Sequence, residues 1–174
     1  MGAQQLIFVL LRLIHIVAGV FWVGGVVVVA RFVLPSVVAL GPAGGDVMRE
    51  IAVRRRLPIA LNVAGLVTIL AGFALFGMQQ AGSRGVWAGS PMGITISIGA
   101  LLAIIAGIIG GMRARPAAMK LTALGEQGKA ASGPPSAEVI AEMGRLRAQM
   151  AGAANQAAIL LVLAVAAMAV ARYV

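Results

Sequence analysis

Four stretches of about twenty largely apolar residues leave this chain few ways to fold. They cover residues 6–29, 58–78, 92–112 and 153–170. A segment of that length and character crosses a bilayer as a helix, because a helix satisfies its own backbone polar groups where water is absent. Composition agrees. Of the 174 residues, 61% are hydrophobic and 11% charged, against roughly half and a quarter in a soluble domain. Pro58 and Pro91 stand where spans two and three begin, a position at which the missing proline N–H costs nothing. The first span is longer than a signal-peptide core and lacks a small-residue cleavage site after it, so it is expected to be retained. The reading is all-α: one domain, residues 1–174, built as an integral membrane bundle of four transmembrane helices.

Positive charge orients that bundle. The net charge is +9. Arg31, Arg49, Arg54, Arg55 and Arg56 fall between spans one and two; Arg113, Arg115, Lys120, Lys129, Arg145 and Arg147 fall between three and four. Only Arg84 lies between two and three. The positive-inside rule puts the first and third connections in the cytoplasm and both termini outside. The expectation is a multi-pass protein of the inner (cytoplasmic) membrane, N-out and C-out. Basic residues clustered between apolar spans point to anionic headgroups of the lipid bilayer, and not to nucleic acid, as their partner. Trp87 and Tyr173, at outer ends, suit interfacial anchors. The absence of cysteine excludes disulfides, thiolate metal sites and covalent c-type haem.

Two connections carry local signals. Residues 41–45, Gly-Pro-Ala-Gly-Gly, read as a breaker, and residues 125–135, rich in Gly, Ser, Ala and Pro, read as a turn. Ser136 then suits an N-cap, with Glu138 placed for the helix dipole. Val139, Met143, Leu146 and Met150 recur at helical spacing after it. The fourth helix is therefore expected to start before the membrane and project into the cytoplasm.

Inside the spans, polar residues are few. Asn62 and Asn155 are expected to bridge helices two and four, with Gln156 or Arg31 nearby. Thr68, Thr95 and Ser97 are expected to bond back to their own helices. Gly107 and Gly111 make a small-xxx-small pair, expected in packing within the bundle, with a homo-oligomer face as the alternative. Asp46, Glu50, Glu126, Glu138 and Glu142 all lie outside the spans. A proton- or cation-coupled transporter usually needs an intramembrane acid, and no nucleophile–base pair or phosphate loop is visible.

One stripe stands apart. Arg12, His15, Gly19 and Trp22 are spaced three, four and three residues apart, which aligns them along one side of span one. His15 is the only histidine. Ionisable side chains are expensive in hydrocarbon and persist facing a protein interior, a partner or a cofactor. Each residue also has a plain structural role: Arg12 snorkelling, His15 bonded to a neighbouring helix, Trp22 buried in the bundle. Histidine is the commonest ligand for metals and haem iron, and an arginine pairs with a propionate. The stripe is thus a candidate site for outer-leaflet haem b or copper. Met92 and Met78, at the same end, are candidate second ligands, with packing as their ordinary role.

His15, Trp22 seven residues later and Gly24-Gly25 resemble the first-helix pattern of the copper-resistance protein D (CopD) family, with Arg12 as the basic residue three before the histidine. His15, Trp22, Gly25 and Arg31 are also similar in spacing to the HemJ-type protoporphyrinogen oxidases, and Arg55-Arg56-Leu57 is comparable to an element before that group's second helix. The likeness covers residues 10–31 and thins over 54–78. It implies a helical bundle binding haem b through His15. The lysine that HemJ-like proteins carry early in helix three has no counterpart, since Pro91 and Met92 stand there. Three functional readings follow: a haem-binding redox-type membrane protein, a copper-handling one, or a non-catalytic subunit whose stripe packs against a membrane-protein partner.

Overall fold

A computed structural model describes residues 2–130 and 135–174, and they are helical almost throughout. Helix α1 runs over Ala3–Ala39. A short α2 follows at Pro42–Arg49, then α3 at Leu57–Gly82. Helix α4 starts as Pro91–Ile109 and continues as Arg115–Ala130. Helix α5 covers Ala137–Val170. Four of these, α1, α3, α4 and α5, are long and apolar enough to cross a membrane. The protein is a multi-pass, all-α membrane bundle.

The helices associate as two antiparallel pairs, α1 with α3 and α4 with α5. Large side chains coat the outside: Leu13, Val17, Val20, Phe73, Ile98 and Leu101 are all exposed. The buried set is made mostly of small residues, among them Ala71, Ala106, Ala153, Ala157, Ala158 and Ala164. This inverts a soluble core. Lipid tails are as apolar as leucine, so the pairing of helices depends on close packing of small surfaces. Gly99 shows how close: a Cβ there would lie 3.0 Å from the Ala164 carbonyl oxygen of α5.

Three helices outrun the membrane. At 1.5 Å per residue, α1 (37 residues) and α5 (34 residues) are about 50–55 Å long, against a hydrocarbon core of about 30 Å. Span one was expected to stop at residue 29, and instead its helix continues to Ala39. It does so through a wider π turn at Val29–Val33, in which the Leu34 N–H reaches back to the Val29 carbonyl. Helix α4 makes the same move at Gly110–Ala114, where Arg115 bonds Gly110. In each case a proline follows after one intervening residue, Pro35 and Pro116. A proline ring collides with the carbonyl four residues back and offers no N–H. A widened turn is a known way for a helix to absorb such a disturbance without ending.

Two expected breaks are therefore corrected. Residues 125–130 are helical and not part of a turn, while residues 131–134 lie outside the described residues. In the 41–45 segment only Gly41 breaks the helix, at φ +57°, and Pro42 opens α2. Helix α2 folds back so closely that a Cβ on Gly44 would collide with the Val37 carbonyl. The expected start of the last helix is observed: Ser136 caps it, its hydroxyl accepting from the Val139 N–H at 3.3 Å.

The opposite connection is a small hydrogen-bonded knot. The Gln80 amide donates to the Gly85 carbonyl at 2.6 Å and accepts from the Ala88 N–H at 2.9 Å. Ser90 caps α4 through the Gly93 N–H. Trp87 stacks edge-on against Phe76, centroids 5.2 Å apart, so it braces this turn as well as suiting an interfacial position.

At the basic end, the extensions of α4 and α5 are joined by Glu142. Its carboxylate accepts from Arg145 at 2.7 Å and from Lys120 of α4 at 3.0 Å. Arg145 first and Lys120 second hold this carboxyl down from the usual 4.5 to about 2. A depressed carboxyl pKa stabilises the folded arrangement above its ordinary value and loses that contribution as pH falls through the lowered one. The α4–α5 extension contact should therefore be unchanged from pH 7 to 5 and should loosen between about pH 4.5 and 2. Spin labels on Met119→Cys and Ile140→Cys, placed in a chain free of cysteine, measure it. Glu142→Gln should show the looser distance at neutral pH, and a distance independent of both pH and Glu142 would contradict the assignment.

Candidate functional site

The stripe on α1 meets a complementary stripe on α3. His15 packs on Gly72, where an added Cβ would sit 3.0 Å from the ring Cε1. Gly19 faces Thr68, Trp22 lies over Gly65, and the Leu61 side chain fills the place of a Gly25 Cβ. The contacts step by three or four residues on both helices, the spacing of neighbours on a helix face. Small residue meets large at every level, which lets the two backbones approach.

His15 is half-buried, and its Nδ1 donates to the Thr68 carbonyl oxygen at 2.8 Å. A carbonyl only accepts, so the proton is on Nδ1 and in the neutral ring Nε2 carries the free lone pair. The carbonyl has a second lone pair for its own helix ladder. The Thr68 hydroxyl is otherwise engaged, donating to Ala64 O at 2.7 Å. Thr95 and Ser97 bond back in the same way, to Pro91 and Gly93. Sequence reasoning missed Thr68 O and Gly72 as partners of His15. A backbone carbonyl has no side-chain signal, and Gly72 is legible only once the α1–α3 register is known.

Trp22 is 7% exposed and sits where all four helices meet. It shares one buried cluster with Ala106 of α4 and with Ala157 and Leu161 of α5, and Leu61, Ala64 and Ile69 of α3 pack against that cluster. Gly107 faces the same ring at 3.9 Å, whereas Gly111 has open space. The small-residue pair thus contributes one member to packing inside the bundle.

The remaining candidates are dispersed. Arg12 is exposed and makes no hydrogen bond or ion pair among the described residues. Met92 is half-buried in the first turn of α4. Met78 lies six residues, about 9 Å of rise, beyond Gly72. The α1–α3 seam thus sets Gly72 and Thr68 against the ring. The expected Asn62–Asn155 bridge does not form. Asn62 is exposed, and the buried Asn155 Oδ1 has no hydrogen-bond partner. Gln156 instead accepts from Arg113 at 3.2 Å. The physical reason is orientation: Asn62 lies on the lipid side of α3, away from the Leu61 and Gly65 face that meets α1.

Fold and site together define a small polytopic helical protein with one imidazole pinned at a helix–helix seam. Compared with protein-family models, characterised proteins and solved structures, the chain finds no match.

The seam predicts unequal costs for glycine substitutions. Gly65→Ala puts a Cβ 2.7 Å from the Trp22 ring and should destabilise by about 1–3 kcal/mol, the usual range for overpacking. Gly24 has open space around it, so Gly24→Ala should be neutral or stabilising by up to about 1 kcal/mol. Thermal or denaturant unfolding in detergent checks both, and equal effects would refute the packing.

Proposed function

We propose that this is an inner-membrane protein, N-out and C-out, that binds haem b at its outer leaflet, where His15 would hold the iron. One observation carries the reading: the Nδ1–H bond to Thr68 O, which fixes the tautomer and leaves Nε2 as the donor atom. A ligating histidine almost always gives its other N–H to a carbonyl or carboxylate, which holds the ring and raises its basicity. The residue likeness over residues 10–31 points the same way.

The donor set suits iron in haem better than copper. One imidazole is enough for a five-coordinate haem. A protein copper site asks for further nitrogen or sulfur donors, and among the described residues no group of three His, Cys, Asp or Glu comes together. Bound there, haem would supply one-electron redox chemistry. The chain's own residues have separate tasks. Thr68 and Gly72 position the imidazole. Arg12, exposed one turn nearer the outer end, offers a free guanidinium to a carboxylate. Trp22 plugs the bundle beneath and separates the site from the basic end.

A second reading has its own support. The His15 bond and the Trp22 seat form a complete helix–helix contact without any group added, as a non-catalytic membrane subunit requires. Absorption spectra of protein expressed with ample haem decide between the two. The expected result is a Soret band that His15→Ala abolishes while the protein still inserts and folds. Arg12→Leu should keep the band and release haem faster. Wild-type protein with no band, and a His15→Ala variant that is merely less stable, would select the subunit; copper found by metal analysis would select the copper reading.

Orientation is tested separately. A membrane-impermeant thiol reagent should label Arg84→Cys from outside and reach Arg147→Cys only after the membrane is opened. The reverse pattern would place the His15 end in the cytoplasm.

A further inference from the structure

At the basic end, α1 and α5 leave a groove of about 200 Å³ between them. Val27, Ala158, Ile159, Val162 and Leu163 form its apolar walls, and Arg31 stands at one end. Because the two helices are antiparallel, Arg31 and Ala158 mark the end near the basic connections, and Val27 and Leu163 the end toward mid-membrane. Arg31 is exposed and makes no ion pair or hydrogen bond among the described residues. Arg113, by contrast, is held by Gln156, and Arg54 and Arg55 by Glu50. Arg31 thus keeps a free guanidinium at the mouth of an apolar channel.

A second, independent feature lies beside it. Asn155 precedes Ala158 and Ile159 by three and four residues, so it lies on the same face of α5, one turn nearer the basic end. Its Oδ1 is buried and has no partner. A buried acceptor without a donor is costly in a low-dielectric setting. The mouth of the groove thus presents a free cation from which apolar walls run inward, while the Asn155 acceptor stays enclosed one turn away.

We propose that this groove binds an anionic glycerophospholipid. One acyl chain lies along Val27, Val162 and Leu163, and the phosphate pairs with Arg31. The chemistry selects such a lipid. A zwitterionic headgroup brings its own cation to Arg31, and a soluble anion leaves the apolar walls unused. The inference stands apart from the haem reading, since it uses neither His15 nor the outer half of the bundle.

Native mass spectrometry of the detergent-purified protein, loaded with phosphatidylglycerol or phosphatidylcholine, tests it. Wild-type protein should retain phosphatidylglycerol preferentially. Arg31→Gln should lower that preference about fivefold, the size expected for one basic residue at an anionic surface. Arg12→Gln, at the far end, and Arg56→Gln, in the neighbouring cluster, should leave it intact. Ile159→Trp fills the groove without changing charge and should expel the lipid; circular dichroism confirms that it folds. Inorganic phosphate should not displace the lipid. Equal retention of the two lipids by wild-type protein would overturn the proposal. So would an Arg31→Gln variant that behaves as wild type, or an Arg56→Gln loss as large as that of Arg31→Gln, which marks diffuse attraction. Retention unaffected by Ile159→Trp, or full displacement by phosphate, would show that the groove contributes nothing.

Discussion

The indole of Trp22 rests on the bare Cα of Gly65, and the placement of the other helices follows from that contact. In lipid, no hydrophobic term drives helices together, so association rests on dispersion between surfaces that fit. Dispersion falls off within fractions of an ångström of radial gap. A large flat ring set into a glycine notch is an efficient way to exploit it. Here the ring belongs to one buried cluster with Ala106, Ala157 and Leu161, so both antiparallel pairs meet around it. The surrounding alanines are a consequence: with the centre filled by an indole, neighbouring positions must be small for the backbones to converge. Removing such a ring from a close-packed centre typically costs about 3–5 kcal/mol, more than the contribution of any polar contact found in the bundle.

The two pairs also share a plan. In α1 and in α4 a π turn of five residues lies at the basic end, a proline follows it by one residue, and the helix carries on beyond the membrane. The widened turns and prolines thus come at the basic end of each apolar stretch. A backbone group released by proline is easier to satisfy near water than in hydrocarbon. The extensions then meet through charge, Arg49 with Glu126 and Lys120 with Glu142. Exposed pairs of this kind contribute little each. They serve to set which helical extension faces which, while buried Leu146 and Ala117 supply the packing.

Much of this was legible in the sequence because the bilayer imposes strong rules. Span number, the absence of strands among the described residues and the Ser136 cap all follow from length, apolarity and one hydroxyl before a helix. What was not legible depends on registers and rotations that a single chain does not advertise. Apolarity alone marks a span's extent in the sequence, yet a helix does not need apolar residues to continue, and neither Pro35 nor Pro116 ends these. Asn62 and Asn155 share a depth, but depth alone does not set the face of each helix. The stripe on α1 was read as a site from its own residues. Its meaning depends on the facing stripe, Gly72, Thr68, Gly65 and Leu61, which only the antiparallel register brings to it.

That facing stripe explains why a histidine can stand where it does. An imidazole in lipid needs a partner for its N–H, and a transmembrane helix offers few carbonyls whose surroundings are open enough to reach. Gly72 opens one: without a Cβ there, the ring slides over α3 to the Thr68 carbonyl one turn away. The contact adds the ~1 kcal/mol typical of a polar bond between membrane helices, a small term beside the Trp22 seat. Phenylalanine or leucine would pack there with no polar atom to satisfy, so stability alone gives little reason for an imidazole. What histidine adds over an apolar residue is a second nitrogen, held at a fixed angle with its lone pair free. A structural role uses Nδ1 only; a ligand role uses both nitrogens, and that difference is why the seam is read as a site and not only as a joint.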